Sequence, residues 1–311
     1  MEKYKELFDI LAKARGINAD GHSSYYAGSY QKNIYPREMA ERHIRMFCKG
    51  GGKELYPQDN KKEKAACIYS SSMLSYNFFH WIDDEHPLTF DGIRYTKVVF
   101  EEQFRVLRSR NNKANLDVVL VSEDKNERTI LLLESKFTEH FENKPTQIAE
   151  AYFDDNNGYF ANGTKWAGVM KSLQDKMITE NDTYFEGLKQ VACHLMGITN
   201  VIRSEQARVW FNNNSWLRDQ FGITLRGDEN FIFKSIVFHP ATVNEGRKSE
   251  DYEKKNREFI SSIKSRDFLP CNLSVNNPII TYRNLWNGGM KASVQNPGLG
   301  SYLERYLEAH V

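Results

Sequence analysis

The chain has 311 residues and a formal net charge of +1, with 40% hydrophobic and 27% charged residues. These values are typical of a globular protein with room for one large domain. They argue against a protein that coats nucleic acid through overall basicity, and no apolar run is long enough to span a bilayer.

Several cofactor classes are disfavoured by the motifs. The cysteines are widely scattered and match no zinc-site spacing. Neither of the Gly-rich phosphate-binding patterns, GxxxxGK[ST] and GxGxxG, occurs in the chain. We therefore expect no nucleotide cofactor and no membrane partner. Because the charged N-terminal stretch lacks a signal-peptide core, we also expect a cytoplasmic protein.

The first part of the chain predicts helices separated by an irregular segment. Helical spacing of apolar residues predicts helices over residues 2–15, 36–49 and 61–81, the second of which opens on Pro36. Residues 16–35 are rich in tyrosine, and their rings either stack on nucleic-acid bases or pin the segment to the body. In the third helix, Ser72 and Asn77 are polar residues on an otherwise apolar segment, and they are candidates to contact DNA if the chain binds it at the end of the sheet.

Residues 88–104 predict a hairpin with an Asp91-Gly92 turn. Its second strand carries Glu101 and Glu102, which point to opposite faces, and the apolar neighbours do not decide which one faces a site. A basic loop follows over residues 105–115. It either contacts DNA phosphates or is a solvated loop, and its cations are Arg105, Arg108, Arg110 and Lys113.

Residues 116–137 form the segment around which the chain is organised. Two apolar strands joined by the charged turn 124–127 predict an antiparallel hairpin. If the turn is centred between residues 125 and 126, Asp117 lies opposite Glu134 with Cβ atoms ~5 Å apart, and Lys136 shares their face. Both faces are otherwise apolar, which predicts a central hairpin covered by helices on both sides.

Two carboxylates and an ammonium group at the end of such a hairpin are costly unless they pair or bind something. Like charges repel at this distance, and a hard divalent cation relieves the repulsion. The alternative is a salt bridge between Lys136 and one acid, with the other acid solvated. The matching register and the Glu-x-Lys ending of a buried strand favour a metal site.

The rest of the chain alternates between helical and extended patterns. Helices are predicted over residues 145–153, 165–177, 184–196, 249–266 and 299–310, and strands over residues 231–238 and 279–282. The strand at 231–238 suits a helical crossover into the sheet. No repeat or linker divides the chain, so we expect one domain over residues 1–311, with a core at about 61–240 and elaborations at 1–60 and 241–311.

Asp117 followed by Glu134-Ser135-Lys136 resembles the motif of the PD-(D/E)XK phosphodiesterase superfamily, which includes many restriction endonucleases. Leu116 stands where the family often has proline. The stretches SSSMLSYNFF and ESKFTE are similar to those of bacterial type II-like restriction endonucleases. The resemblance covers residues 65–238.

The resemblance implies an α/β fold with a restriction-endonuclease-like core, in which a mixed central sheet has helices on both faces. It implies that Asp117 and Glu134 hold Mg²⁺, or else Mn²⁺, and that Lys136 orients the attacking water. The Ser135 carbonyl and either Glu101 or Glu102 are the further ligands it suggests.

Some members carry a glutamine on the helix after this motif, near the lysine or DNA. Gln190 is the candidate here and Gln147 the alternative, while a structural glutamine bonded to backbone is the competing interpretation. The implied activity is metal-dependent cleavage of double-stranded DNA by a restriction enzyme, which would act as a homodimer. The alternatives are a non-cutting DNA-binding module and a non-specific or exonucleolytic nuclease.

Overall fold

The computed structural model describes residues 4–17, 26–49, 54–56, 63–108, 112–124, 126–138, 147–154, 156, 158, 163–180 and 184–308. Over these residues the fold is α/β, with one mixed sheet flanked by helices. None of the helices in these ranges combines the length and apolar character that a membrane crossing needs.

The strands of the sheet are β1 (Leu88–Phe90), β2 (Ile93–Arg105), β3 (Lys113–Ser122), β4 (Thr129–Lys136), β5 (Asn230–Val237), β6 (Leu273–Ser274) and β7 (Ile279–Thr281). They lie in the order β1-β2-β3-β4-β5-β6, and β7 also pairs with β5. The pairings from β1 to β4 are antiparallel, whereas β5 runs parallel to β4, β6 and β7.

The α-helices are α1 (Lys5–Ala14), α2 (Glu41–Lys49), α3 (Ser71–Phe79), α4 (Gly163–Glu180), α5 (Phe185–Arg203), α6 (Glu205–Asn214), α7 (Trp216–Phe221), α8 (Val243–Lys264), α9 (Tyr282–Leu285), α10 (Lys291–Ser293) and α11 (Pro297–Glu308). Helix α3 precedes the long strands, and α5 lies on the crossover from β4 to the parallel strand β5. The predicted helical crossover is therefore confirmed.

Both predicted hairpins are confirmed. Asp91 and Gly92 both have positive φ, 51° and 77°, as a tight two-residue turn between β1 and β2 requires. In the second hairpin, the pairs from Val118 with Leu133 to Val121 with Ile130 have the register expected from the turn. All of β4 is buried, as expected for a central strand.

Helices cover opposite faces of β4. The side chain of Ser135 reaches α3, with its Oγ 3.4 Å from the Ser71 carbonyl oxygen. The preceding residue, Glu134, instead reaches His194 of α5. Because neighbouring residues of a strand point to opposite faces, α3 and α5 lie on the two sides of the sheet.

Some predicted helices are wrong in extent. The helix predicted from Pro36 begins only at Glu41. Of the helix predicted over 61–81, residues 61 and 62 lie outside the described residues, and the α-helix among the rest is Ser71–Phe79. The helix predicted over residues 145–153 is also wrong in extent. Its first two residues, 145 and 146, lie outside the described residues, and the rest contains only a short 3-10 turn at Glu150–Tyr152. Helices α6 and α7 were not predicted. A tertiary contact of α7 with β2, described below, explains why local pattern is insufficient there.

Candidate functional site

A row of polar side chains crosses neighbouring strands at the end of the central hairpin. Glu101 of β2 and Asp117 of β3 lie at one level, because the residues on either side of them pair. Asp117 and Glu134 are likewise next in register after the last hairpin pair. Glu134 in turn pairs with Ser235 of β5. The register therefore brings together three carboxylates that are separated along the chain.

Lys136 completes this group, which we call the acidic cluster (Glu101, Asp117, Glu134 and Lys136). Its ammonium nitrogen Nζ donates to Glu134 Oε1 at 2.7 Å and to Gln190 Oε1 at 2.5 Å. Both charged side chains of this pair are buried, while Gln190 on α5 is exposed. Helix α5 thus places the predicted glutamine against the predicted lysine.

His194 is a member of the site that the sequence reasoning missed. Its Nε2 lies 2.9 Å from Glu134 Oε2, and both side chains are buried. It follows Gln190 by one helical turn, so the two residues lie on the same side of α5. This spacing was the available signal, but it has meaning only once α5 is known to cross the end of β4.

Asp117 is half-buried and is held by the backbone of the neighbouring strand. Its Oδ2 accepts a hydrogen bond of 2.6 Å from the Ser135 N–H. The Ser135 hydroxyl lies on the other side of the sheet, 2.7 Å from the Tyr282 hydroxyl. The backbone of Ser135 therefore faces the acidic cluster while its side chain contributes to packing.

The crowded acids shift one another's ionisation. Burial, followed by the charges of Glu134 and Glu101, raises the pKa of Asp117 well above its usual range. Burial, followed by the charges of Glu54 and Glu134, raises the pKa of Glu101 to about 8. Burial also opposes ionisation of Glu134, but Lys136 and His194 outweigh it and lower the pKa of that carboxyl. The carboxyl of Glu134 is therefore the one that ionises most readily, while Asp117 and Glu101 resist ionisation beside it in the absence of a further cation.

The donors fit a hard divalent cation by chemistry, although they are not gathered around a single point. In the part of the chain that the structure describes, no three His, Cys, Asp or Glu side chains are placed to hold a metal ion together. The Glu134 oxygens face Lys136 and His194, and Asp117 Oδ2 faces the Ser135 amide. Carboxylate oxygens are the ligands that Mg²⁺ and Mn²⁺ prefer, and a cation would relieve the repulsion between the acids.

The structure separates Glu102 from the acidic cluster, so its prediction as a metal ligand is corrected. Its carboxylate is fully buried and accepts from the Ser215 hydroxyl at 2.9 Å and from the N–H groups of Trp216 and Leu217, each at 3.3 Å. These donors form the start of α7. Glu102 therefore anchors that helix to β2.

The prediction that Asn77 contacts DNA is also corrected, because its fully buried side chain has no access to DNA. Its Oδ1 accepts from the Tyr35 N–H at 2.8 Å, and its Nδ2 donates to the Asn33 carbonyl and the Tyr306 hydroxyl at 3.0 and 3.1 Å. Ser72, on the same helix, lines a cavity beside the acidic cluster.

The predicted basic loop is only partly described. Arg110 lies outside the described residues. Arg105 donates to the Arg108 carbonyl oxygen at 3.0 Å, and Arg108 itself is exposed. Lys113 donates to Gln103 Oε1 at 3.0 Å and lines a cavity of about 300 Å³ with Glu134, Gln190 and His194. Among the cations of this loop that the structure describes, Lys113 thus shares a cavity with Glu134 of the cluster.

Comparison of the chain with models of known protein families, with curated proteins and with solved structures found no match.

Proposed function

We propose that the chain is a metal-dependent endonuclease that hydrolyses DNA phosphodiester bonds, with a restriction-endonuclease-like core. The observation that carries the proposal is the meeting of Asp117, Glu134 and Lys136 at the end of one hairpin. The topology also supports it, since α3 precedes the sheet and α5 crosses over to the parallel strand β5. A restriction enzyme of type II-like character is the specific form that the sequence resemblance suggests.

In this proposal Asp117 and Glu134 hold Mg²⁺ or Mn²⁺, with Glu101 as the additional acid and the Ser135 carbonyl as a further donor. When bound, the ion supplies a water of lowered pKa and neutralises phosphate charge. The ammonium group of Lys136 would orient the attacking water. It would also stabilise the negative charge that develops in the transition state. Gln190 fixes the direction of that ammonium group through its 2.5 Å contact.

Double-stranded DNA is the proposed partner. Lys113 lies in the same cavity as Glu134, which supports a role in binding phosphates near the cluster. Arg105 and Arg108, close to the start of β3, extend the positive charge in that direction. The homodimer and the cytoplasmic location stay predictions.

The direct test is digestion of plasmid and phage DNA with Mg²⁺, and with EDTA as the metal-free control. We expect discrete fragments from the wild type and a loss of at least roughly 100-fold in rate for Asp117→Asn and Lys136→Met. Glu102→Gln is the matched control, because Glu102 neighbours Glu101 in sequence but bonds to α7. The folded Glu102→Gln variant should cut DNA at the rate of the wild type.

The outcomes separate the candidate functions. Equal rates of DNA cleavage by the wild type, Asp117→Asn and Lys136→Met would contradict this active site. A smear of DNA products in place of discrete fragments would favour a non-specific or exonucleolytic nuclease. Tight DNA binding without cleavage, whichever divalent metal ion is added, would favour a non-cutting DNA-binding module. That second candidate is favoured by the arrangement of Glu134, whose oxygens face Lys136 and His194.

A further inference from the structure

A second cavity, of about 610 Å³, lies beside the acidic cluster and is not used by the proposed hydrolysis. We call it the aromatic cavity, because its lining includes four aromatic residues, which we call its aromatic wall: Tyr4, Phe8, Tyr26 and Tyr69. The lining also includes uncharged polar residues, which we call its polar wall: Ser70, Ser71, Ser72, Thr138 and Gln190. Its volume is within the range of roughly 300–1,000 Å³ that is common for ligand sites.

The aromatic cavity adjoins the acidic cluster, because residues that line it bond to a member of the cluster, bond to the strand residue between two members, or act on a member electrostatically. Gln190 lines the cavity and also accepts from Lys136 Nζ at 2.5 Å. Ser71 lines it, and its carbonyl oxygen accepts at 3.4 Å from the hydroxyl of Ser135, the strand residue between Glu134 and Lys136. Glu54 and Lys64 line it and act electrostatically on Glu101. A group in the cavity would therefore be a close neighbour of a phosphate bound at the cluster.

The aromatic wall offers a stacking surface. Phe8 and Tyr69 are stacked on each other, with ring centroids 4.5 Å apart and planes inclined by 16°. Phe8 is buried, whereas Tyr69 and Tyr26 are half-buried and line the cavity. A flat heteroaromatic ring is the kind of group that extends such a stack, and nucleic-acid bases stack on aromatic side chains in this way.

The polar wall suits a base better than a charged ligand. Glu54 and Lys64 form an ion pair at 3.7 Å, so their charges offset each other. The hydroxyl groups and the Gln190 amide supply both donors and acceptors, as the edge of a base requires. The cavity therefore combines a surface for a ring face with groups for a ring edge.

We propose that the aromatic cavity receives one unpaired base of the DNA strand whose phosphate lies at the acidic cluster. The base stacks on Tyr69 and Tyr26, and the hydroxyl and amide groups contact its edge. This inference rests on the proposed nuclease function. It refines the substrate, because a base can enter such a cavity only from a single strand or after extrusion from the duplex.

The test is a binding titration with a short single-stranded oligonucleotide that contains 2-aminopurine, whose fluorescence is quenched by stacking. Ca²⁺ replaces Mg²⁺ so that binding is measured apart from cleavage. We expect quenching with the wild type, and affinities lowered roughly 5- to 100-fold in Tyr69→Leu and Tyr26→Leu, as for loss of one stacked aromatic ring. Tyr69→Phe keeps the ring and should bind like the wild type.

Tyr56→Leu is the matched control, because Tyr56 is 57% exposed and lies outside the aromatic cavity. Thermal melts identify any variant that fails to fold, and Tyr26→Leu then replaces Tyr69→Leu in the comparison. Wild-type affinity in both leucine variants would overturn the inference, as would the absence of quenching with the wild type. A mononucleotide, dAMP, that bound as tightly as the oligonucleotide would also overturn it, because it would indicate a site for free nucleotides.

These results are distinguishable from those of the digestion test. If the protein cuts DNA with Mg²⁺ but does not quench 2-aminopurine fluorescence, the proposed base-binding role of the cavity is contradicted and the proposed nuclease function is not. A protein that quenches but never cuts contradicts the nuclease and leaves the cavity as the binding site of a non-cutting module.

Discussion

At the scale of single residues, the acidic cluster costs the fold stability. Glu101 is only 6% exposed, and burial with the charges of Glu54 and Glu134 raises its pKa to about 8. Its ordinary value in an unfolded chain is near 4.5. Because the folded state resists ionisation of this group, its contribution becomes more unfavourable as the pH rises from about 4.5 towards 8. Such a cost is common where side chains are placed for chemistry.

We therefore predict that Glu101→Gln stabilises the metal-free protein. The substitution removes the charge and keeps the shape, so the free energy of unfolding should rise by about 1–3 kcal/mol at pH 8. The gain should shrink as the pH falls to 5, where Glu101 is protonated in the folded state. Urea unfolding in EDTA at several pH values measures this difference. A variant that is no more stable than the wild type at pH 8 would contradict the electrostatic account.

The residues of the site were predictable where strand geometry decides them. The charged turn sets the register, and that register places Asp117 opposite Glu134. Glu101 and Glu102 were not separable, because the preceding strand residues 98–100 are apolar on both faces, and all three are buried in the structure. His194 depends on how α5 crosses the sheet, and sequence spacing alone does not specify that crossing.

At the scale of elements, α2, α3 and β2 meet around a buried histidine. His43 of α2 makes edge-on contacts with Tyr76 of α3 and Phe100 of β2, with ring centroids 5.5 and 5.3 Å apart. Burial, followed by the charges of Arg42 and His80, lowers the pKa of His43 to about 3. The packing of these elements thus requires a neutral imidazole.

This packing predicts a loss of stability in mild acid. The pKa of His43 is lower in the folded state than its usual 6.5, so its contribution is complete above pH 6.5 and is lost as the pH falls towards 3. The penalty from this residue should reach about 2 kcal/mol at pH 5. His43→Leu should flatten the dependence between pH 7 and 5 in urea unfolding, measured beside the wild type at the same pH values. An unchanged slope in His43→Leu would refute this assignment.

The elements themselves were predictable where turn chemistry and apolar pattern agree, as in the Asp91-Gly92 turn and in β3 and β4. Helix α7 was missed because its start depends on Glu102, which is distant in sequence. The segment before the helix predicted from Pro36 is likewise held by a tertiary contact, the bond from the Tyr35 N–H to Asn77 Oδ1. Local pattern carries no information on such tertiary contacts.

At the scale of the whole molecule, both ends of the described chain join the core through one buried network. Arg15, which follows α1, donates to the Ile68 carbonyl at 2.7 Å and lies over the Tyr306 ring at 4.2 Å. Tyr306 belongs to α11, and its hydroxyl accepts from Asn77 of α3 at 3.1 Å. A single apolar cluster also extends from residues of α1 through the sheet to α11. These contacts favour one cooperative unit over a core with independent elaborations.

We predict that the chain unfolds in one transition and that Tyr306→Leu lowers its midpoint without splitting it. Loss of this buried ring should reduce the free energy of unfolding by roughly 2–4 kcal/mol, because the packing and the contact with Arg15 are both lost. Tyr306→Phe removes only the hydroxyl group, so it should cost roughly 0.5–1.5 kcal/mol. Urea unfolding followed by circular dichroism and by tryptophan fluorescence gives the comparison. Coincident curves in all the variants are expected, since α11 and α1 share the core of the sheet. If Tyr306→Leu instead released a first transition while the second kept the wild-type midpoint, α11 would be a separate unit and the expectation of one domain would be wrong.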